Sequence, residues 1–92
     1  MIVQLTTKAK AELDSAIAFV RRDSTRAAAT LRSRVEDAIG SLAQLPNRGR
    51  SGRVAGTREL LVRGTPYILV YSTSADRVLV LSVRHTSQGQ PV

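Results

Sequence analysis

The chain has 92 residues, no cysteine, and 14 Lys+Arg against 7 Asp+Glu, a formal net charge of +7. That length holds one domain, and the missing thiols exclude disulfides and thiolate metal sites, as expected of a protein kept in a reducing compartment. No apolar run approaches the ~20 residues of a membrane helix, and Met1 to Leu5 lack the basic start of a signal peptide, so a soluble cytoplasmic protein is expected.

Every cation except Lys8 and Lys10 is an arginine. A positive balance of this size speaks to partners, and the two natural ones are nucleic acid and an acidic protein. Arginine favours planar, bidentate contact with carboxylate or phosphate; a GC-rich genome that writes arginine for lysine is the plainer explanation. The only aromatic residues are Phe19, Tyr67 and Tyr71, too few for base-stacking platforms.

Ile2, Val3 and Leu5 form a short first strand, and Thr6 or Thr7 can cap the helix that follows. Ala9, Leu13, Ala16, Ile17 and Val20 then recur with the 3.6-residue period of one helical stripe. Asp23-Ser24-Thr25 breaks that helix and supplies a new cap, most naturally Ser24. The second helix carries the stripe Ala28, Leu31, Val35, Ala38, Ile39, Leu42 and Leu45, with surface pairs expected between Arg32 and Glu36 and between Arg34 and Asp37. Pro46 ends it. Residues 46–56 read as a loop bearing Arg48, Arg50 and Arg53, with glycines between them and no acid.

After the loop the period changes to two. Arg58, Leu60 and Val62 share one face of a strand, with Glu59, Leu61 and Arg63 on the other. Gly64-Thr65-Pro66 turns the chain, and residues 67–71 make a central strand, apolar on both faces. A second turn at Ser74-Ala75-Asp76 leads to the last run, 78–83. The expected fold is α+β in the order β-α-α-β-β-β, a helical hairpin on one face of a small, mainly antiparallel four-stranded sheet. One domain spans residues 1–92, and 86–92 read as a flexible tail.

Catalytic patterns are scarce. His85 is the only histidine, and there is no HExxH, Walker or GxGxxG motif, so neither metal nor cofactor is expected. The informative cluster is cationic: Arg48, Arg50 and Arg53 in the loop, Arg58 and Arg63 on the next strand, and Arg84 beside His85 on the last. Read functionally, these form one anion-recognising surface. In the plainer reading the loop arginines are solvated and the strand arginines pair locally, for example with Glu59. His85 is either an acid–base group or a structural residue bonded to backbone, and Tyr67 and Tyr71 read as core residues with their hydroxyls at the rim.

The run Gly49 to Leu60, Gly-Arg-Ser-Gly-Arg-Val-Ala-Gly-Thr-Arg-Glu-Leu, followed by Thr65-Pro-Tyr-Ile-Leu-Val-Tyr71 and Asp76-Arg-Val-Leu-Val-Leu-Ser-Val-Arg-His85, resembles toxins of the ParE/RelE superfamily. With the helical opening, the resemblance covers nearly the whole chain and is nearer the ParE branch. It implies a type II toxin–antitoxin module: a growth inhibitor neutralised by a protein antitoxin that folds on binding. ParE toxins act on DNA gyrase, whereas RelE toxins cleave messenger RNA on the ribosome. This sequence departs from the ribonuclease pattern, with Ile68 where an arginine is expected, Glu59 and Leu61 near the lysine sites, and Thr86 and Ser87 after His85.

A gyrase inhibitor is therefore the first expectation, with Arg48, Arg50, Arg53, Arg58, Arg84 and His85 meeting the target. A ribosome-dependent ribonuclease using Arg58, Arg63, Arg84 and His85 is the second, and a non-toxic nucleic-acid-binding or interaction module the third. An acidic antitoxin is expected against groove edges at Leu13, Ile17, Val20, Leu31 and Val35, with operator DNA reached only through it. A homodimer or a toxin–antitoxin heterotetramer is the expected assembly.

Overall fold

The computed structural model of the chain describes residues 1–87. Strand β1 (Ile2–Leu5) leads into helix α1 (Thr7–Arg21) and helix α2 (Thr25–Gln44), then strands β2 (Arg50–Ser51), β3 (Arg58–Leu61), β4 (Tyr67–Thr73) and β5 (Arg77–His85). Both helices start where their caps predict. The Thr6 hydroxyl accepts from the Ala9 amide at 3.0 Å and the Ser24 hydroxyl from Ala27 at 3.0 Å, each satisfying one orphan donor of a first turn. Thr6 also donates to the Leu81 carbonyl at 3.2 Å, tying the helix start to β5.

The stripes of the two helices meet in one cluster with the sheet. Ile17, Leu31, Val35 and Leu42 pack against Leu60, Val62, Leu69, Tyr71 and Val80, all buried. A single cluster puts both helices on the same face, as the hairpin requires. Leu45 leaves the stripe at the helix end and is 63% exposed. The surface pairs expected at Arg32–Glu36 and Arg34–Asp37 are absent from the ion pairs of the described residues; Arg34 instead reaches the Arg63 carbonyl at 3.4 Å.

The sheet runs β1-β5-β4-β3-β2, with β1 parallel to β5 and every other pairing antiparallel. It has five strands where the sequence suggests four. The addition is β2, in which Arg50 and Ser51 pair with Glu59 and Arg58 inside the segment read as loop. Its two residues are both exposed and carry no apolar alternation, so the pairing is made by tertiary contacts rather than by local pattern.

At the opposite edge β1 stops at Leu5, so the end of β5 pairs with β4 alone and is open on its other side. The Glu12 carboxylate covers it, accepting from the Val83 amide at 3.0 Å and the Ser82 hydroxyl at 2.8 Å. The register slips between Val70 and Tyr71. At the 64–66 turn Gly64 has φ +75°, which glycine adopts without strain. Thr86 and Ser87, expected in the tail, are tied down: Thr86 donates to the Pro66 carbonyl at 2.8 Å and Ser87 to His85 Nδ1 at 3.1 Å. The rest of that expected tail lies outside the described residues.

Candidate functional site

Alternation along β3 sends Leu60 into the helix-side core and Glu59 and Leu61 to the open face of the sheet. Cross-strand register places Leu61 beside Ile68, and Ile68 beside Arg84. Glu59 is 5% exposed, the only buried charged residue among those described. Its carboxylate accepts from Arg50 Nη2 at 3.1 Å and the Arg53 amide at 3.4 Å, and pairs with Arg84 Nη2 at 3.3 Å. Burial pushes the Glu59 carboxyl up, but the bonds from Arg50, the Arg53 amide and Arg84, with the Arg84 charge, outweigh it and hold the group below the usual carboxylate value.

The loop that carries the arginines is fastened from beneath. Tyr71 is fully buried, and its hydroxyl accepts from the Gly49 amide at 2.9 Å while donating to the Pro46 carbonyl at 2.8 Å. A Cβ on Gly49 would lie 2.6 Å from that hydroxyl and 2.9 Å from the Glu59 carbonyl oxygen, so only glycine fits this approach. Arg58 Nη1 donates to the Gly49 carbonyl at 2.8 Å and the Asn47 carbonyl at 3.2 Å. Gly52 donates to the Thr57 carbonyl at 2.8 Å and closes the turn.

The structure brings Arg48, Arg50, Arg53 and Arg84 together with Glu59, Leu61 and Ile68 around an open-face cleft of about 390 Å³. It parts the other candidates from that cleft. Arg58 is half-buried and holds the loop backbone. Arg63 lines a neighbouring cleft with Arg34, Asp37 and Arg48. His85 pairs with Tyr67 on the helix side, ring centroids 5.2 Å apart and edge-on at 86°. Ile17, Leu31 and Val35, expected as groove edges, are themselves core, whereas Leu13 and Val20 are only partly buried against it. Between two apolar clefts stands Phe19, 62% exposed, with Arg22 above its ring at 5.9 Å.

Glu59 and Tyr71 are the residues that sequence reasoning undervalued. Glu59 is the only acid between Asp37 and Asp76, in the most arginine-rich part of the chain; that isolation was the available signal. Among the described residues no group of three or more His, Asp or Glu side chains is arranged to hold a metal ion, and no helix is long and apolar enough to cross a membrane.

Residues 3–89 match the family model of the ParE toxin of the type II toxin–antitoxin system parDE. The chain belongs to the ParE toxin family. It is 38% identical over 89 residues to the Sinorhizobium fredii protein described as "Putative toxin Y4kP", covering 97% of this chain and 92% of that one. Among solved structures it is similar to the chromosomal ParDE toxin–antitoxin system from P. aeruginosa, with a TM-score of 0.81 and 23% identity over 92% of this chain and 95% of that chain. It is also similar to the toxin–antitoxin complex RelBE2 from Mycobacterium tuberculosis, with a TM-score of 0.63 and 31% identity over 91% and 88%. The ParE toxin therefore shares its helix-on-sheet frame with both of these solved structures.

Proposed function

We propose that this ParE toxin inhibits growth by binding DNA gyrase through the open-face arginine surface of Arg48, Arg50, Arg53 and Arg84, without catalysis of its own. The observation that carries the reading is the dispersal of the acid–base candidates. RNA cleavage by 2′-hydroxyl attack needs a base, an acid and cationic stabilisation converging on one phosphate. Here Arg84 is on the open face, His85 is on the helix face against Tyr67, and the Arg58 guanidinium is engaged by loop carbonyls. The exposed loop cations on a fastened backbone suit recognition instead.

The test is induction of each variant at matched soluble expression, scoring gyrase–DNA cleavage complexes and messenger cleavage in parallel. Changing Arg48, Arg50 and Arg53 together to Gln is expected to abolish cleavage complexes in a protein that still folds, with stability lowered by the loss of the Arg50 bond to Glu59. Changing His85 to Gln is expected to leave toxicity standing. Messenger cleavage that depends on His85 would replace this reading with the ribonuclease one.

A cognate antitoxin completes the reading. Related structures are toxin–antitoxin assemblies, and a +7 chain favours an acidic, partly disordered partner segment that folds on binding. With Ile17, Leu31 and Val35 in the core, the apolar edge left for such a helix is Leu13, Val20 and the exposed Phe19. Association is expected to be fast and to slow with added salt. A rate flat in ionic strength would remove electrostatic steering from the account.

A further inference from the structure

Arg84, which lines the open-face cleft, carries a donor that the fold leaves unpaired. The Arg84 side chain is only 21% exposed, and its Nη2 faces Glu59 at 3.3 Å. Its Nε is buried with no hydrogen-bond partner among the described residues. Leaving a buried donor unpaired is costly, more so on a charged group, and such atoms in folded proteins call for an explanation. The walls of the same cleft add a second feature. Leu61 is 55% exposed beside the buried Ile68, and no aromatic side chain lines the space. A nucleotide base would find no ring to stack on.

We propose that this cleft receives one carboxylate of a protein partner, bound by the guanidinium groups of Arg84 and Arg50, while an adjacent apolar side chain of that partner lies on Leu61 and Ile68. The proposal deepens the reading above, because it rests on this surface meeting a protein. Glu59 positions the donors: its carboxylate meets one nitrogen of each guanidinium, at 3.1 Å from Arg50 and 3.3 Å from Arg84, and so restrains both groups before the partner arrives. Pre-set donors lose less side-chain freedom on binding. Four arginines against one carboxylate keep the cleft cationic, yet the Glu59 charge at its floor opposes a densely charged phosphate backbone more than a single carboxylate. The apolar wall completes the match to an acidic–apolar peptide.

The Nε–H of an arginine gives its own nitrogen-correlated NMR signal, so the wild-type protein reports directly. Titration with a short blocked peptide alternating glutamate and leucine is expected to shift the Arg84 Nε–H signal saturably. The matched glutamine–leucine peptide should leave it in place. Arg84→Lys keeps the charge but loses the planar fork, and should bind the acidic peptide about tenfold more weakly, the loss of one charge-assisted hydrogen bond. An oligouridylate that moves the signal at lower concentration than the peptide would overturn the proposal in favour of phosphate recognition. A signal that no ligand moves would overturn it as well. Neither outcome involves gyrase, so cleavage-complex formation by the same variants tests the functional reading separately.

Discussion

Tyr71→Phe isolates the link between core and arginine loop, because it removes one oxygen and leaves the packing of the ring unchanged. In the native protein that oxygen accepts from the buried Gly49 amide at 2.9 Å and donates to the Pro46 carbonyl at 2.8 Å. Stranding a buried amide costs about 1–3 kcal/mol, and the second bond adds about 0.5–1.5 kcal/mol. Taking about 2 kcal/mol in total, a domain of this size should lose roughly 8–16 °C in Tm. Thermal unfolding followed by circular dichroism measures the loss, and amide exchange at Gly49 locates it. Protection should fall at Gly49 and its neighbours and persist at Leu69, in the centre of β4. An unchanged Tm with full protection at Gly49 would show that the hydroxyl does not hold the loop, and the coupling described above would fail.

Glu59→Gln should destabilise the toxin at neutral pH by about 1–3 kcal/mol, less than the 3–5 kcal/mol of a fully buried pair because Arg50 is 72% exposed. The folded-state Glu59 carboxyl lies below its usual 4.5, so its contribution is complete above that pH and is lost as pH falls through the folded value. Denaturant midpoints of the two proteins should therefore converge on acidification, and a gap that stays constant to low pH would refute the linkage. Gly49→Ala should displace the loop and cost about 1–3 kcal/mol, visible as lost exchange protection at Gly52 and Arg53; a stability equal to wild type would mean the close approach of Gly49 to Tyr71 is relaxed in solution. Leu31→Ala should cost about 2–5 kcal/mol, since that side chain is 5% exposed, and unfolding unaffected by it would break the assigned register of α2.

The helices were legible because their information is local. The stripe through Ile17 and the stripe through Leu31 and Val35 each declare a buried face, and Thr6 and Ser24 declare where the helices start. The three later strands were legible for the same reason, through alternation and the turns at Gly64 and Ser74. Strand β2 was not, because Arg50 and Ser51 show no alternation of their own and lie in a loop held to the sheet by the distant Tyr71 and Glu59. Arg58 looked like one more recognition arginine, and its attachment to the Asn47 and Gly49 carbonyls depends on a loop path that no spacing rule encodes. The separation of Arg84 from His85 was readable in principle, since neighbours on a strand point to opposite faces.

This division of labour changes how mutational data on the toxin should be read. Attachments from Tyr71, Arg58 and Glu59 hold the loop backbone, which leaves the exposed Arg48 side chain on a surface that does not collapse onto the core, with Arg50 exposed beside it but bonded to Glu59. A toxicity screen would score both sets as essential, because losing the support and losing the cations each disable the surface. They separate on stability. Loss at Tyr71 or Gly49 should travel with a lower Tm and lost exchange protection, whereas exposed cations such as Arg48 should change stability by less than about 0.5 kcal/mol. Arg58 discriminates best: as a partner contact, Arg58→Lys would lose its planar fork on the partner and leave the loop in place, while as a loop strap it loses the reach to two carbonyls at once. Toxicity of Arg58→Lys that falls in step with exchange protection at Gly49 assigns it to the support, and toxicity lost with protection intact assigns it to the interface.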